Sequence, residues 1–237
     1  MEQKKIGAVY LIPSFMGEQS VEVLFPEYNK LIISKLNYFI VENARTARRS
    51  LKSICSDLRI DTLHIQEIDK HVDVLPIDAY LEPLKHGYDI GIMSEAGMPC
   101  IADPGNLFVA KAHSWGATIV PLVGPNSIIM ALIASGFNGQ QFCFHGYVPL
   151  KDGRLQALKQ WEQQAVKFSI TQIFMETPYR NMLLFEDICK VISPQTKLCI
   201  AANITLPTEY IATKTVGEWK LQTPSIHKQP AIFLLGT

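Results

Sequence analysis

The chain of 237 residues carries little charge, and the charge it has is balanced. Lys, Arg, Asp and Glu make up 19% of the residues, below the ~25% usual in soluble domains, which argues against a disordered or coiled-coil protein. The 22 basic and 22 acidic side chains cancel, so no overall field draws the molecule toward nucleic acid or membranes. Any contact with nucleic acid must therefore depend on a local positive patch.

Paired cysteines and long apolar runs are also missing. The five cysteines are scattered without a C-x-x-C pair, which is typical of neither a disulfide framework nor a zinc site and predicts a reduced, cytoplasmic protein. No apolar stretch approaches the ~18 residues of a membrane helix, so no membrane partner is expected. The apolar run Ile6–Ile12 ends at Pro13 with no small-residue cleavage site after it, which predicts a first strand rather than a signal peptide.

Several common catalytic motifs are absent. The first strand is not followed by G-x-G-x-x-G, and the chain has no P-loop, which excludes the usual dinucleotide sites and P-loop kinases. It has neither H-E-x-x-H nor G-x-S-x-G. The six histidines never fall at ligand spacing, so no catalytic metal is expected. The chemistry is expected to depend on backbone groups and a few polar side chains.

Short apolar runs alternate with helical patterns, which predicts an α/β chain with mainly parallel strands. The predicted strands are Ala8–Ile12, Tyr38–Glu42, Thr62–Ile65, Asp89–Met93, Thr118–Leu122, Gln141–Tyr147, Thr171–Glu176, Leu198–Ile204, Tyr210–Lys214 and Ile232–Leu235. The predicted helices are Tyr28–Leu36, Ala44–Cys55, Ile77–Lys85, Pro104–Ser114, Ser127–Ser135, Arg154–Ala165 and Tyr179–Ile192. Ten strands are many for one open sheet, so we expect two α/β domains, 1–122 and 123–237.

The most informative segment is Ser94–Gly105, which reads SEAGMPCIADPG. It follows a predicted strand and precedes a predicted helix, so it lies at the carboxyl end of a strand, where open α/β sheets bind ligands. Asp103 is expected to cap the helix, with Pro104 as its first residue. The segment has twelve residues, whereas such connections usually take about 2–6, which favours a ligand-binding loop over an irregular connection.

Two further segments follow strands in the same way. Gly124–Ser127 (GPNS) offers Asn126 and Ser127, which suit a helix cap as well as a ligand contact. Phe174–Arg180 (FMETPYR) begins a helix at Thr177-Pro178. Its Glu176 and Arg180 are interpreted either as a surface ion pair or as site residues.

These segments resemble motifs of the tetrapyrrole methylase superfamily, and within it the small-subunit ribosomal RNA (cytidine-2′-O)-methyltransferase family. The family's S-D-A-G-T-P-x-I-x-D-P-G corresponds to Ser94–Gly105, and its Y-I-V-P-T-P-I-G-N to YLIPSFMGE at Tyr10–Glu18. Its P-L-P-G-P-x-A corresponds to Pro121–Ile128, and its F-Y-E-S-x-H-R to Phe174–Arg180. The similarity runs in the same order to Ile232–Gly236 and so covers nearly the whole chain.

The resemblance implies a class III methyltransferase fold of two α/β domains, S-adenosylmethionine (SAM) bound in the cleft between them, and a homodimer. It implies an RNA acceptor on the small ribosomal subunit. The implied SAM contacts are Ser94, Glu95, Ala96, Gly97, Ile101, Asn126, Ser127, Phe174, Met175, Pro230 and Ala231. Small residues such as Ala96 and Gly97 allow the backbone to approach a ligand closely.

The chain departs from the family at charged positions expected on the acceptor side. The family's E-D-T-R reads E-N-A-R at Glu42–Arg45, and its A-R-E-L-T-K reads A-A-N-I-T-L at Ala201–Leu206. A ribose hydroxyl needs a general base, and Glu42 is our candidate, with Arg45 holding phosphate. Glu176 is an alternative base, and pairing with Arg45 is the alternative role of Glu42.

A positive stripe is expected on the helix after the second strand. Arg45, Arg48, Arg49 and Lys52 follow at i, i+3, i+4 and i+7, so a helix places all four on one face. We interpret this face as an RNA contact, the alternative being a solvated helix surface.

Three functions follow from these patterns. The first is SAM-dependent 2′-O-methylation of ribosomal RNA. The second is methylation of a tetrapyrrole or another small molecule, which the missing acceptor-side charges favour. The third is a SAM- or RNA-binding protein without catalytic activity.

Overall fold

In the part of the chain that the structure describes, ten strands form two separate sheets, each flanked by helices. The structure is a computed structural model that describes residues 5–69, 72, 74–150 and 153–237. The chain divides into two units, Met1–Asn126 and Ser127–Thr237. This confirms the predicted α/β class with two sheets.

The first unit contains a fully parallel sheet with the strand order β3-β2-β4-β1-β5. Its strands are β1 (Val9–Ile12), β2 (Tyr38–Val41), β3 (His64–Glu67), β4 (Ile90–Met93) and β5 (Ile119–Pro121). Its helices are α1 (Val21–Leu24), α2 (Glu27–Ile33), α3 (Ala44–Ile54), α4 (Ile77–Lys85) and α5 (Gly105–Ser114). Because every strand runs the same way, all their carboxyl ends meet at one edge of the sheet.

Apolar side chains cover both faces of this sheet, as expected for parallel strands. On one face, α2 and α3 pack Ile33 and Leu51 against Phe39. On the other face, α4 and α5 pack Leu81 and Phe108 against the strands. The central strand β4 is therefore buried along its whole length.

The second unit contains a mixed sheet with the order β6-β7-β10-β8-β9. Its strands are β6 (Phe142–Tyr147), β7 (Thr171–Met175), β8 (Lys197–Ala202), β9 (Tyr210–Thr215) and β10 (Ala231–Gly236). Its helices are α6 (Ser127–Ser135), α7 (Arg154–Phe168), α8 (Asn181–Val191) and α9 (Val216–Leu221). Only β6 and β7 pair in parallel, whereas β10 runs antiparallel to both its neighbours and β9 runs antiparallel to β8.

The structure contains all ten predicted strands, with ends within two residues of the predicted ones. It adds the short helices α1 and α9, which the sequence patterns did not predict. The two units divide after Asn126, four residues beyond the expected boundary of 122. The intervening residues pack on the first unit, since Asn29 Nδ2 donates to the Val123 carbonyl over 2.7 Å.

Candidate functional site

The loops after β1 and β4 are joined at the carboxyl edge of the first sheet. The backbone N–H of Ser14 donates to the carbonyl of Gly97 over 2.8 Å, and the Gly97 N–H donates back to the Ser14 carbonyl over 3.2 Å. The hydroxyl of Ser14, which is buried, donates to the Ser94 carbonyl over 2.7 Å. The Ser94–Gly105 loop is thus anchored at its start to the neighbouring strand's end.

The loop holds unusual backbone conformations. Gly97 has φ +69°, and Cys100 and Ala102 have φ +71° and +62°, a region in which non-glycine residues are strained. Asp103 stabilises this geometry, because its Oδ1 accepts from the N–H of Cys100 (3.0 Å) and of Gly105 (2.7 Å). Strain of this kind, held by specific hydrogen bonds, is common in ligand-binding loops.

One detail of this loop differs from the prediction. The helix begins at Gly105, so Pro104 occupies the N-cap rather than the first helical position. Asp103 therefore lies one residue farther out than predicted. Its side chain still caps the helix, since it accepts from the Gly105 N–H.

Burial dominates the electrostatics of the loop. Burial and, less strongly, the nearby carboxylate of Glu42 raise the pKa of Asp103. The hydrogen bonds from Gly105 and Cys100 lower this pKa, but the net shift is upward. Burial and Asp103 raise the pKa of the Cys100 thiol to about 11, so it stays protonated at neutral pH. A protonated thiol is a weak nucleophile, which leaves Cys100 a packing role.

Glu42 lies at the same edge, directly after β2. Its Oε2 accepts from the backbone N–H of Glu95 over 3.0 Å, so this carboxylate is oriented toward the Ser94–Gly105 loop. The side chain is half-buried. The edge therefore brings the candidate base and the candidate SAM loop into direct contact.

The predicted SAM contacts of the first unit share one loop but differ in exposure. Glu95, Ala96 and Ile101 are exposed, Ser94 is half-buried, and Gly97 is buried. A side chain at Gly97 would begin 3.4 Å from the carbonyl oxygen of Pro125, next to Asn126. The structure therefore brings the Gly97 and Asn126 segments together.

Three predicted contacts of the second unit lie at one edge of its sheet: Met175, Pro230 and Ala231. Ile232 pairs with Met175, and Ala231 with Ala202, while the carbonyl of Pro230 accepts from the Asn203 N–H over 2.9 Å. Ser127 begins α6. Phe174, in contrast, is fully buried in the core, so its side chain is not exposed to a ligand.

Glu176 is buried in an ion-pair cluster. Its side chain is 0% exposed and accepts from Arg154 and Arg180, each over 2.8 Å, and from the Thr177 N–H over 2.7 Å. Arg154 also pairs with Asp187 over 3.2 Å. This carboxylate is buried and engaged by three donors, which favours Glu42 over Glu176 as the candidate base.

The cluster predicts a large stability effect. Replacing Glu176 by glutamine leaves the buried Arg154 short of a counter-charge, so we expect the free energy of unfolding to fall by about 3 kcal/mol. Urea denaturation measures this change. Glu186→Gln, an exposed position in α8, is the control and is expected to change it by less than about 0.5 kcal/mol. Equal stability of both variants would contradict the role of the cluster.

The basic stripe on α3 is exposed as predicted. Ala47, Leu51 and Ile54 face the core, whereas Arg45, Arg48, Arg49 and Lys52 lie on the surface. Among the described residues, no ion pair involves Arg48 or Arg49. The ammonium of Lys52 donates to the carbonyls of Ser56 and Leu58, so it ties down the turn after α3.

Neither a metal-binding cluster nor a membrane-spanning helix occurs among the described residues. They contain no cluster of three or more His, Cys, Asp or Glu side chains placed to hold a metal ion. His71, one of the six histidines, lies outside the described residues. No described helix is long and apolar enough to cross a membrane.

Solved structures show where else this fold occurs. The methyltransferase CobJ superposes with a TM-score of 0.64 over 98% of this chain and 94% of its own, at 17% identity. Uroporphyrin-III-C-methyltransferase from Thermus thermophilus superposes with a TM-score of 0.55 at 16% identity, covering 97% and 94% of the two chains. At these identities, the likeness establishes the fold alone.

Sequence comparison is more specific. No family model matches the chain. Proteins named ribosomal RNA small subunit methyltransferase I are similar to it. The one from Escherichia coli O157:H7 is 30% identical over 219 residues, 90% of this chain and 70% of that protein. The one from Buchnera aphidicola subsp. Schizaphis graminum is 28% identical over 234 residues, 98% and 78% of the two chains. The chain belongs to the ribosomal RNA small subunit methyltransferase I family.

Proposed function

We propose that this protein transfers a methyl group from SAM to a ribose 2′-hydroxyl of small-subunit ribosomal RNA. The observation that carries the proposal is the contact between Glu42 and the Ser94–Gly105 loop, in a chain of this family. That contact joins a carboxylate able to accept a proton to a loop suited to the methyl donor. Because the proposed substrate is the ribosomal particle, we expect the protein in the cytoplasm.

The small residues of the loop suit SAM. A side chain at Gly97 would begin 3.4 Å from the Pro125 carbonyl oxygen, so glycine allows the two backbone segments to approach each other closely. The exposed Ala96 beside it adds little bulk, so backbone groups are open to an adenosine ligand. We assign the cofactor contacts of the first unit to Ser94, Glu95, Ala96, Gly97, Ile101 and Asn126. Ser127, Met175, Pro230 and Ala231 are the contacts expected from the second unit.

Glu42 is the residue that we assign as general base. SAM supplies a methyl group already activated by a positively charged sulfur. The hydroxyl oxygen of ribose becomes a competent nucleophile when Glu42 takes its proton. The hydrogen bond from the Glu95 N–H fixes the direction of the carboxylate, and correct positioning supplies much of the acceleration in such transfers.

The α3 stripe is our proposed RNA contact. Arginine side chains hold phosphates through several N–H donors, and Arg48 and Arg49 are exposed with their guanidinium groups outside the ion pairs described above. Arg45 begins the stripe two residues after Asn43, the side chain that caps the helix. This places the stripe next to Glu42, at the start of α3.

Removing the stripe is expected to weaken RNA binding and change its salt dependence. The double variant Arg48→Gln/Arg49→Gln should bind small ribosomal subunits with a salt slope lower by about two, one for each lost phosphate contact. Fluorescence anisotropy at several salt concentrations measures the slope. Arg59→Gln, an arginine with a side chain 77% exposed beyond the end of α3, is the control and keeps the parent slope. An unchanged slope in the double variant would indicate that the stripe is a solvated helix surface and not an RNA contact.

A small-molecule acceptor is the second candidate function. It is favoured by the neutral residues at positions where the family carries charge. One of them is Ala202, which stands where the family has arginine and is fully buried in the core. A panel of acceptors separates the candidates: purified small ribosomal subunits, total RNA, and tetrapyrroles, each with labelled SAM. We expect transfer to the ribosomal subunits. Transfer to a tetrapyrrole would favour the second candidate, and SAM binding without transfer to any acceptor would indicate a non-catalytic relative.

A homodimer is part of the proposal as well. Sedimentation velocity on the purified protein tests it, and a single species at the monomer mass of 26.6 kDa would contradict it.

A further inference from the structure

An exposed aromatic ring and a lysine form a pair in the second unit. Tyr179 is 73% exposed although tyrosine is a large, partly apolar residue. The ammonium of Lys228 lies 5.7 Å from the centre of its ring, within the range of a cation–π interaction. We call these two residues the Tyr179–Lys228 pair. It is not used by any contact assigned above.

The backbone around this pair is strained, and hydrogen bonds hold it in this conformation. Lys228 has φ +60°, a strained conformation for lysine, and its N–H donates to the Pro178 carbonyl over 3.1 Å. The amide of the buried Asn181 donates to the Gln229 carbonyl over 2.6 Å. The segment that carries Lys228 is thus fastened to the segment that carries Tyr179. Strained residues held in this way cluster at ligand-binding sites.

The pair lies beside the proposed cofactor contacts of the second unit. Tyr179 follows Met175 by one short turn, after the end of β7. Lys228 precedes Pro230 and Ala231, where β10 begins next to Met175. Both residues therefore belong to the same edge of the sheet as those contacts.

The chemistry of the pair matches a nucleotide. An exposed aromatic ring stacks on an unpaired base, and a lysine beside it balances the charge of a phosphate. The guanidinium of Arg180 is paired with Glu176, so Lys228 supplies the positive charge beside the ring. A ring with an adjacent cation suits single-stranded RNA better than an apolar protein surface.

We infer that the Tyr179–Lys228 pair binds a nucleotide of a single-stranded segment of the RNA substrate, with the base stacked on Tyr179 and a phosphate near Lys228. This inference rests on the proposed function, since it concerns the same acceptor. It adds an RNA contact in the second unit to the α3 stripe of the first.

Substitution of Tyr179 tests the inference by equilibrium binding. Stacking contributes about 1–3 kcal/mol per base, so Tyr179→Ala should bind small ribosomal subunits about 5- to 150-fold more weakly than the parent. Tyr179→Phe keeps the ring and should stay within about twofold. Lys228→Gln should lower the salt slope by about one. SAM affinity, measured by calorimetry, should be the same in all three variants.

The second unit offers a matched control. Phe168 is 56% exposed, and the ammonium of Lys167 lies 5.2 Å from its ring centre, but this pair is at the opposite end of the sheet, before β7. Phe168→Ala should bind ribosomal subunits like the parent. Equal weakening by Phe168→Ala and Tyr179→Ala would contradict a local contact.

The outcomes distinguish failure of the inference from failure of the proposed function. If the parent binds and methylates ribosomal subunits while Tyr179→Ala binds them equally well, only the inference is wrong. If Tyr179→Ala instead loses self-association in sedimentation with RNA binding unchanged, the pair contacts a protein and the inference is again wrong. If the parent neither binds nor methylates the subunits, both fail.

Discussion

Replacing Gly97 by valine is expected to lower the affinity for SAM by more than about 100-fold, equivalent to about 3 kcal/mol. Gly97 has φ +69°, a conformation that β-branched residues adopt only under strain. Its first side-chain atom would already lie 3.4 Å from the Pro125 carbonyl oxygen, and the methyl groups of valine extend beyond that atom. Valine is therefore expected to displace the loop from the Pro125 segment and to disturb the cofactor contacts that we assign to the loop. Calorimetric titration with SAM measures the loss.

A second glycine separates this effect from backbone strain. Gly116 has φ +78°, and a side chain there would meet no atom within 4 Å. Gly116→Val thus carries similar strain in the same unit without obstructing the loop. We expect both variants to lose stability and only Gly97→Val to lose SAM binding. Parent-like SAM affinity in a folded Gly97→Val variant would overturn the assignment of the loop.

Replacing Glu42 by glutamine is expected to reduce kcat by about 10²- to 10⁴-fold, the usual contribution of a general base. Glutamine retains an oxygen that can accept from the Glu95 N–H, so the loop keeps its anchor while the proton acceptor is lost. SAM affinity is therefore expected to stay within about twofold. Single-turnover methyl transfer to ribosomal subunits measures the chemical step itself.

Glu67 provides the control for this substitution. It ends the neighbouring strand β3, and its Oε2 accepts from the Ala44 N–H over 2.8 Å, so it makes the same kind of bond as Glu42. Glu67→Gln should retain the parent rate. A Glu42→Gln variant as fast as the parent would exclude Glu42 as the base.

The strands and most helices could be predicted because their signals are local. The β4 sequence IGIM is apolar throughout, as a central parallel strand requires, and the spacing of Ala47, Leu51 and Ile54 places one face of α3 in the core. Helix α9 was missed even though Thr215 and Glu218 form a capping box at its start. At six residues, it is too short for apolar periodicity to reveal.

The side-chain contacts of the site were harder to predict because they join distant segments. Glu42 and Glu95 are 53 residues apart, and the hydrogen bond between them depends on β2 and β4 being neighbours. Glu176 is a second example, because its carboxylate is buried although the segment around it is polar. Its partner Arg154 comes from α7, 22 residues earlier, and no local pattern links the two. Sequence patterns locate loops at strand ends more reliably than they assign roles within them.

The most direct test of the central claim is to identify the methylated nucleoside. Small ribosomal subunits from a strain lacking this gene are incubated with the protein and labelled SAM, and their RNA is digested to nucleosides for mass spectrometry. We expect label on the ribose 2′-oxygen of a single nucleotide, abolished by Gly97→Val and strongly reduced by Glu42→Gln. Label on a base, or no label in the RNA, would contradict it.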